Sequence, residues 1–130
     1  MLIRFLGVGL LLGGLLAGCA TNAPMSDEEV VTKKAQSWID ALLAHDYDAA
    51  YNFTAPGFKS RVSSRSYQKR YAGSGSWVKG WVDSIACKDS SCEVTVKITY
   101  RIKGTEVTAN TVMKDTWVHV DRQWWLYHKK

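Results

Sequence analysis

Residues 93–103 read EVTVKITYRIK. Val94, Val96, Ile98, Tyr100 and Ile102 fall on one parity, and Thr95, Lys97, Thr99 and Arg101 on the other. Successive side chains of a strand point to opposite faces, so this alternation is a strand with one buried and one wet side. A sheet that is wet on one side is antiparallel in type, and its dry side needs a cover. Lys103-Gly104-Thr105 turns the chain, and Val107 to Lys114 continue as a more weakly patterned strand. TWVHV, then Asp121-Arg122, then QWWLYH make a last hairpin. Upstream, WVKGWVDSI (77–85) puts Trp77, Trp81 and Ile85 on one parity and Val78 and Val82 on the other.

The cover comes from the N-terminal half. Ser26 with Glu29 is a capping box, and Asp27, Glu28 and Glu29 sit where a helix dipole favours acids. Val31, Ala35, Trp38, Ile39 and Leu42 come next at helical spacing to about His45, with Lys33, Gln36 and Asp40 on the opposite face. Asp46 caps a short second helix with Tyr47, Ala50 and Tyr51 on its buried side, stopped by Pro56-Gly57. A third helix is predicted over roughly Ser60–Tyr71, with a thin apolar face of Val62, Tyr67 and Tyr71. Residues 73–76, GSGS, form a flexible break. The predicted fold is therefore α+β: helices packed on one face of a curved antiparallel sheet of about four strands.

This order resembles the nuclear transport factor 2-like (NTF2-like) superfamily, a cystatin-like cone. The residues that carry the likeness are AQSWIDALLAHDYDAAYNF (35–53) and the closing DTWVHVDRQWWLYH (115–128). The resemblance spans roughly Ser26 to His128 and points to small bacterial lipoproteins of unassigned function. It implies a fold that hosts isomerases, dehydratases, dimerising adaptors and ligand binders, among which fold alone does not choose. The catalytic motifs of the enzyme members have no match here, so no catalytic residue is carried over.

The N-terminus predicts location. MLIRF carries one positive charge, and LGVGLLLGGLLAG comes after it without any. The run is short and glycine-rich for a bilayer span, and polar sequence begins at once after it. It ends in Leu16-Ala17-Gly18-Cys19, which resembles the bacterial lipoprotein lipobox. That resemblance implies a signal peptide over 1–18, acylation at Cys19, a tether over 19–25 and one domain over 26–130. Each buried methylene of an attached chain adds about 0.8 kcal/mol of membrane affinity. Ala20 in place of Asp implies the outer membrane, periplasmic face, in a two-membrane host. Removing the first 18 of 130 residues leaves 112, enough for one modest core. An exported domain meets oxidising conditions, so Cys87 and Cys92 in CKDSSC read as a disulfide; a zinc site would need a second cysteine pair or nearby histidines.

The formal charge of +5 is mild and argues for solubility, not for nucleic acid, which is also improbable outside the cytoplasm. Six tryptophans dominate the candidate contacts. Trp81, Trp117, Trp124 and Trp125 are candidate ligand or partner residues, although packing explains most of such aromatic area. Trp124 and Trp125 are strand neighbours, so one faces the helices and one faces out. Asp83 and His119 are the weak candidates for an acid–base pair, each with a plain reading as a solvated side chain. Between Asp48 and Asp83 there is no acid, and Arg61, Arg65 and Lys69 recur every fourth residue. They would form a stripe on the third helix, either simply solvated or in contact with an anionic surface. No cofactor or metal is expected. The expectation is a non-catalytic module for a small apolar ligand, an envelope protein or a second copy of itself. The alternatives are a small enzyme and a structural protein resting its basic helix on the membrane.

Overall fold

A computed structural model describes Gly18 and residues 23–129 of the protein. Cys19, the signal segment 1–17 and most of the tether fall outside those residues. Four helices precede four strands: α1 (Asp27–Leu43), α2 (Tyr47–Asn52), α3 (Pro56–Lys59), α4 (Ser64–Arg70), a 3-10 turn (Ala72–Ser76), then β1 (Trp77–Lys88), β2 (Ser91–Arg101), β3 (Thr108–Val120) and β4 (Gln123–Tyr127). The strands form one antiparallel meander in sequence order. The expected α+β class is observed.

Local chemistry explains most boundaries. Ser26 and Glu29 make the reciprocal capping box that opens α1. The Asp46 carboxylate accepts from Ala49 N–H, which opens α2. The predicted third helix over Ser60–Tyr71 is the shorter α4, and Pro56-Gly57, expected to stop α2, instead open α3, since α2 already ends at Asn52. Ser63 caps α4 by accepting from Ser66 N–H, so the chain leaves helical geometry between Lys59 and Ser64. The glycine-serine break is a wound 3-10 turn whose Ser74 is buried. Val107–Lys114 and TWVHV are not separate strands but parts of β3.

The core is one cluster. Val31, Ala35, Trp38, Ile39 and Leu42 of α1 meet Val94, Val96 and Ile98 of β2, Trp117 of β3, and Trp124 and Leu126 of β4. Gly80 lies directly under α1. A Cβ there would stand 2.7 Å from Ile39 Cγ2 and 2.9 Å from Ile98 Cδ1, so only glycine lets α1 settle on β1. Cys87 and Cys92 are opposite each other across β1–β2 and are joined by a disulfide.

Both sheet edges are covered over part of their length, which shortens the free strand edge on which chains aggregate. Gln36, expected on the solvent face of α1, instead uses its amide as a short strand would. Its Nε2 donates to Gly80 O at 3.2 Å, and its Oε1 accepts from Val82 N–H at 3.1 Å. At the other edge Leu126 N–H donates to Phe53 O at 2.8 Å, and Ala55 N–H donates to Leu126 O at 3.2 Å.

Candidate functional site

β1 decides which residues face the helices. Its register against β2 slips twice, between Trp77 and Lys79 and between Val82 and Ser84. Each bulge adds one residue and flips the parity of the strand beyond it. Trp77, Val82 and Ile85 therefore pack on the core, while Trp81 lies opposite Lys97 on the solvent face. The expected common face of Trp77, Trp81 and Ile85 is corrected accordingly. Asp83 is the extra residue of the second bulge, and its carboxylate is 3.2 Å from Lys97 Nζ.

His119 is far from that pair in the register. It is exposed, beside Gln123–Trp124 at the end of the sheet near the β1–β2 turn, with its ring 5.0 Å from that of Trp124. Asp83 and His119 share no pocket, because the bulge turns Asp83 to the open face. Trp117 and Trp124 are buried core residues and are withdrawn as contact candidates. Trp125 points to the other face of β4, half-buried, with Lys59 Nζ 5.1 Å from its ring. Arg65 and Lys69 are exposed on α4. Arg61 precedes that helix and donates from Nε to Gly57 O at 3.0 Å, so the expected three-residue stripe on one helix does not exist.

Sequence reading missed a polar cluster on the inner face. β3 and β4 pair Thr116 with Tyr127, and one residue beyond that pair stand Asp115 and His128. Both act on Tyr71. The Tyr71 hydroxyl is 3.0 Å from His128 Nε2, and burial first, then the Asp115 charge, raises the Tyr71 pKa. The His128 ring stacks on Phe58, centroids 4.3 Å apart. Beneath them Trp38 Nε1 donates to the Tyr67 hydroxyl at 2.8 Å. Asp115 Oδ2 and His128 Nδ1 are buried without a hydrogen-bond partner.

Burial perturbs this cluster strongly, because it disfavours whichever form is charged. It pushes the Asp115 carboxyl up to about 6. Burial, aided by the Arg70 guanidinium, pulls His128 down to about 4. Burial likewise raises Tyr71 to about 12 and Tyr67 further still. At neutral pH the group is thus a carboxylate near its pKa, a neutral imidazole and a phenol. That set can accept or hold a proton at Asp115 and offer Tyr71 or His128 to a small polar group. The available signal was parity. Asp115 shares a face with Met113 and Trp117, and His128 with Trp124 and Leu126, but β3 alternates too weakly to show it.

The solvent face of the sheet is the other candidate. A hollow of about 310 Å³ is lined by Trp81, Lys97, Asn110, Thr111 and Val112. Lys79 Nζ stands 4.9 Å from the Trp81 ring, and Val112 is 58% exposed. Among the described residues no group of three or more His, Cys, Asp or Glu side chains gathers to hold a metal. None of the described helices is long and apolar enough to cross a membrane.

No family model matches the chain, and no curated protein matches it. Solved structures do. An NTF2-like protein from Campylobacter jejuni, proposed to be a transpeptidase, superposes with a TM-score of 0.58 at 12% identity, covering 75% of this chain and 96% of that one. A SEC-C motif containing protein from Rhodopseudomonas palustris superposes with a TM-score of 0.57 at 14% identity, covering 79% and 76%. At such identity the likeness shows the fold and nothing further: the chain has the α+β architecture of those two structures, helices packed on one curved antiparallel sheet.

Proposed function

We propose that the protein is an envelope lipoprotein, acylated at Cys19 and held at the periplasmic face of the outer membrane, whose domain binds a partner through the open face of its sheet. The observation that supports binding is that face itself. Val112 and Tyr127 are exposed there, and Trp81 and Trp125 are half-exposed, although the fold has a well-filled core to receive apolar side chains. Trp81 and Val112 flank Lys97 in one row of the sheet, and apolar side chains left in water there are costly unless something covers them. The occupant is an envelope protein or a second copy of this chain.

Two measurements test the reading. Radiolabelled palmitate should enter the wild-type protein and not the Cys19→Ser variant; equal labelling of both removes the anchor. A photo-crosslinking amino acid at position 112 should give a discrete adduct in cells, identified by mass spectrometry, that Trp81→Ala weakens. Position 112 yielding no adduct above that from exposed Lys33 on α1 removes the binding face.

The inner cluster favours a second reading, a small acid–base enzyme. In it Asp115 takes the proton, with Tyr71 and His128 as its neighbours, in place of Asp83 and His119. A substrate would satisfy Asp115 Oδ2 and His128 Nδ1, the two atoms left unpaired. NMR titration of His128 decides it: a candidate substrate that leaves the His128 resonances unmoved is not bound there.

A further inference from the structure

The helical layer stops at Ser76, but the β2–β3 hairpin runs on beyond it, closing at Gly104 with a positive φ of 77°. Under that overhang lies a hollow of about 890 Å³, within the range of small-molecule sites. One wall is the backbone of residues 72–76, where Gly73 and Gly75 leave open space. The other is apolar, built from Trp77, Val78, Tyr100 and Ile102, with Val78 50% and Ile102 42% exposed. Arg101 and Lys103 stand at its rim, and no acidic residue lines it.

The two cations are nearly free. Arg101 Nε is 4.0 Å from Glu106 Oε2, at the limit of an ion pair, and that glutamate is almost wholly in water. Such a contact contributes little. Lys103 has no ion pair among the described residues. Fixed polar groups for a compact polar ligand are scarce: the Ser76 hydroxyl is already spent on Gly73 O at 3.0 Å.

We propose that this cleft takes a single-chain anionic amphiphile. Its alkyl chain lies against Trp77, Tyr100 and Ile102, and its carboxylate sits between Arg101 and Lys103. Apolar wall and weakly engaged cations then each meet their complement, and neither alone uses the whole hollow. The inference is independent of the partner face on the opposite side of the sheet.

The test uses the chain from Ala20 to Lys130, which contains every residue of the core cluster and so folds without the signal segment. Laurate, decanoate and octanoate are titrated below their micellar concentrations at low salt, with acetate and 1-decanol as head-only and tail-only probes. One saturable site is expected, tightening about two- to fourfold per methylene as apolar surface is buried. Arg101→Gln with Lys103→Gln should weaken laurate about tenfold or more, and Ile102→Asp should do the same. All three side chains are exposed, so unchanged thermal melts will confirm that the variants fold. Acetate binding as tightly as laurate would reduce the cleft to an anion site and overturn the proposal. Decanol matching decanoate, or binding to anionic vesicles with none to monomeric laurate, would overturn it equally.

Discussion

Asp115→Asn isolates an electrostatic balance inside the cone. Burial holds the Asp115 carboxyl at about 6 against an ordinary 3.8. Its folded pKa is raised, so the native state binds more protons than the unfolded one between those values, and the stability this contributes is lost as pH rises through about 6. His128 runs the other way. Its folded pKa of about 4 lies below the ordinary 6.5, so stability is present above 6.5 and is lost as pH falls towards 4. At about 1.4 kcal/mol per pH unit, each gap amounts to at most about 3 kcal/mol, less what residual water contact screens. Between pH 4 and 6 the two nearly cancel, and the wild-type contribution of the pair is flat. Asp115→Asn keeps the shape and removes the carboxyl. It should raise stability at pH 7 by up to about 3 kcal/mol and leave a protein that loses that much on acidification from 6.5 to 4. His128→Gln should slope the opposite way, gaining on acidification. Urea unfolding followed by tryptophan fluorescence at pH 4, 5, 6 and 7 reads all three. Parallel profiles for wild type and Asp115→Asn would refute the assignment of a perturbed, unpaired carboxylate.

Three further outcomes rest on packing. Tyr67→Phe leaves the fully buried Trp38 Nε1 without its acceptor and should cost about 1–3 kcal/mol, measured by chemical denaturation. Gly80→Ala places a methyl between Ile39 and Ile98 and should cost about 1–3 kcal/mol; an unchanged melt would mean that α1 is free to lift. Reducing Cys87–Cys92, which are five apart in sequence, should lower stability by about 2 kcal/mol, and Cys87→Ala with Cys92→Ala should melt with or without reductant as the reduced protein does.

Much of the fold was legible because it rests on local signals. The Ser26–Glu29 box, the spacing from Val31 to Leu42 and the alternation from Val94 to Tyr100 each repeat within a few residues, so periodicity alone exposes them. The third helix was misread because Ser63 serves equally well inside a pattern or as a cap, and its hydrogen bond to Ser66 decides which. The site was less legible. Two bulges in β1 shift parity without leaving a mark in composition, and they separate Trp81 and Asp83 from the cone interior. Gln36 looked like a surface residue until β1 supplied the Gly80 carbonyl and Val82 N–H that it binds.

The sequence by itself therefore determined the element types, the α+β class and the partners of the disulfide, because caps, periods of 3.6 and 2.0 and short cysteine spacing are properties of neighbouring residues. Only the tertiary structure decided which tryptophans are core, that Asp83 and His119 never meet, and that Tyr71 meets His128 within reach of the Asp115 charge. Those facts depend on strand register and helix seating, which place residues 57 positions apart within 3.0 Å of each other and which no local pattern encodes.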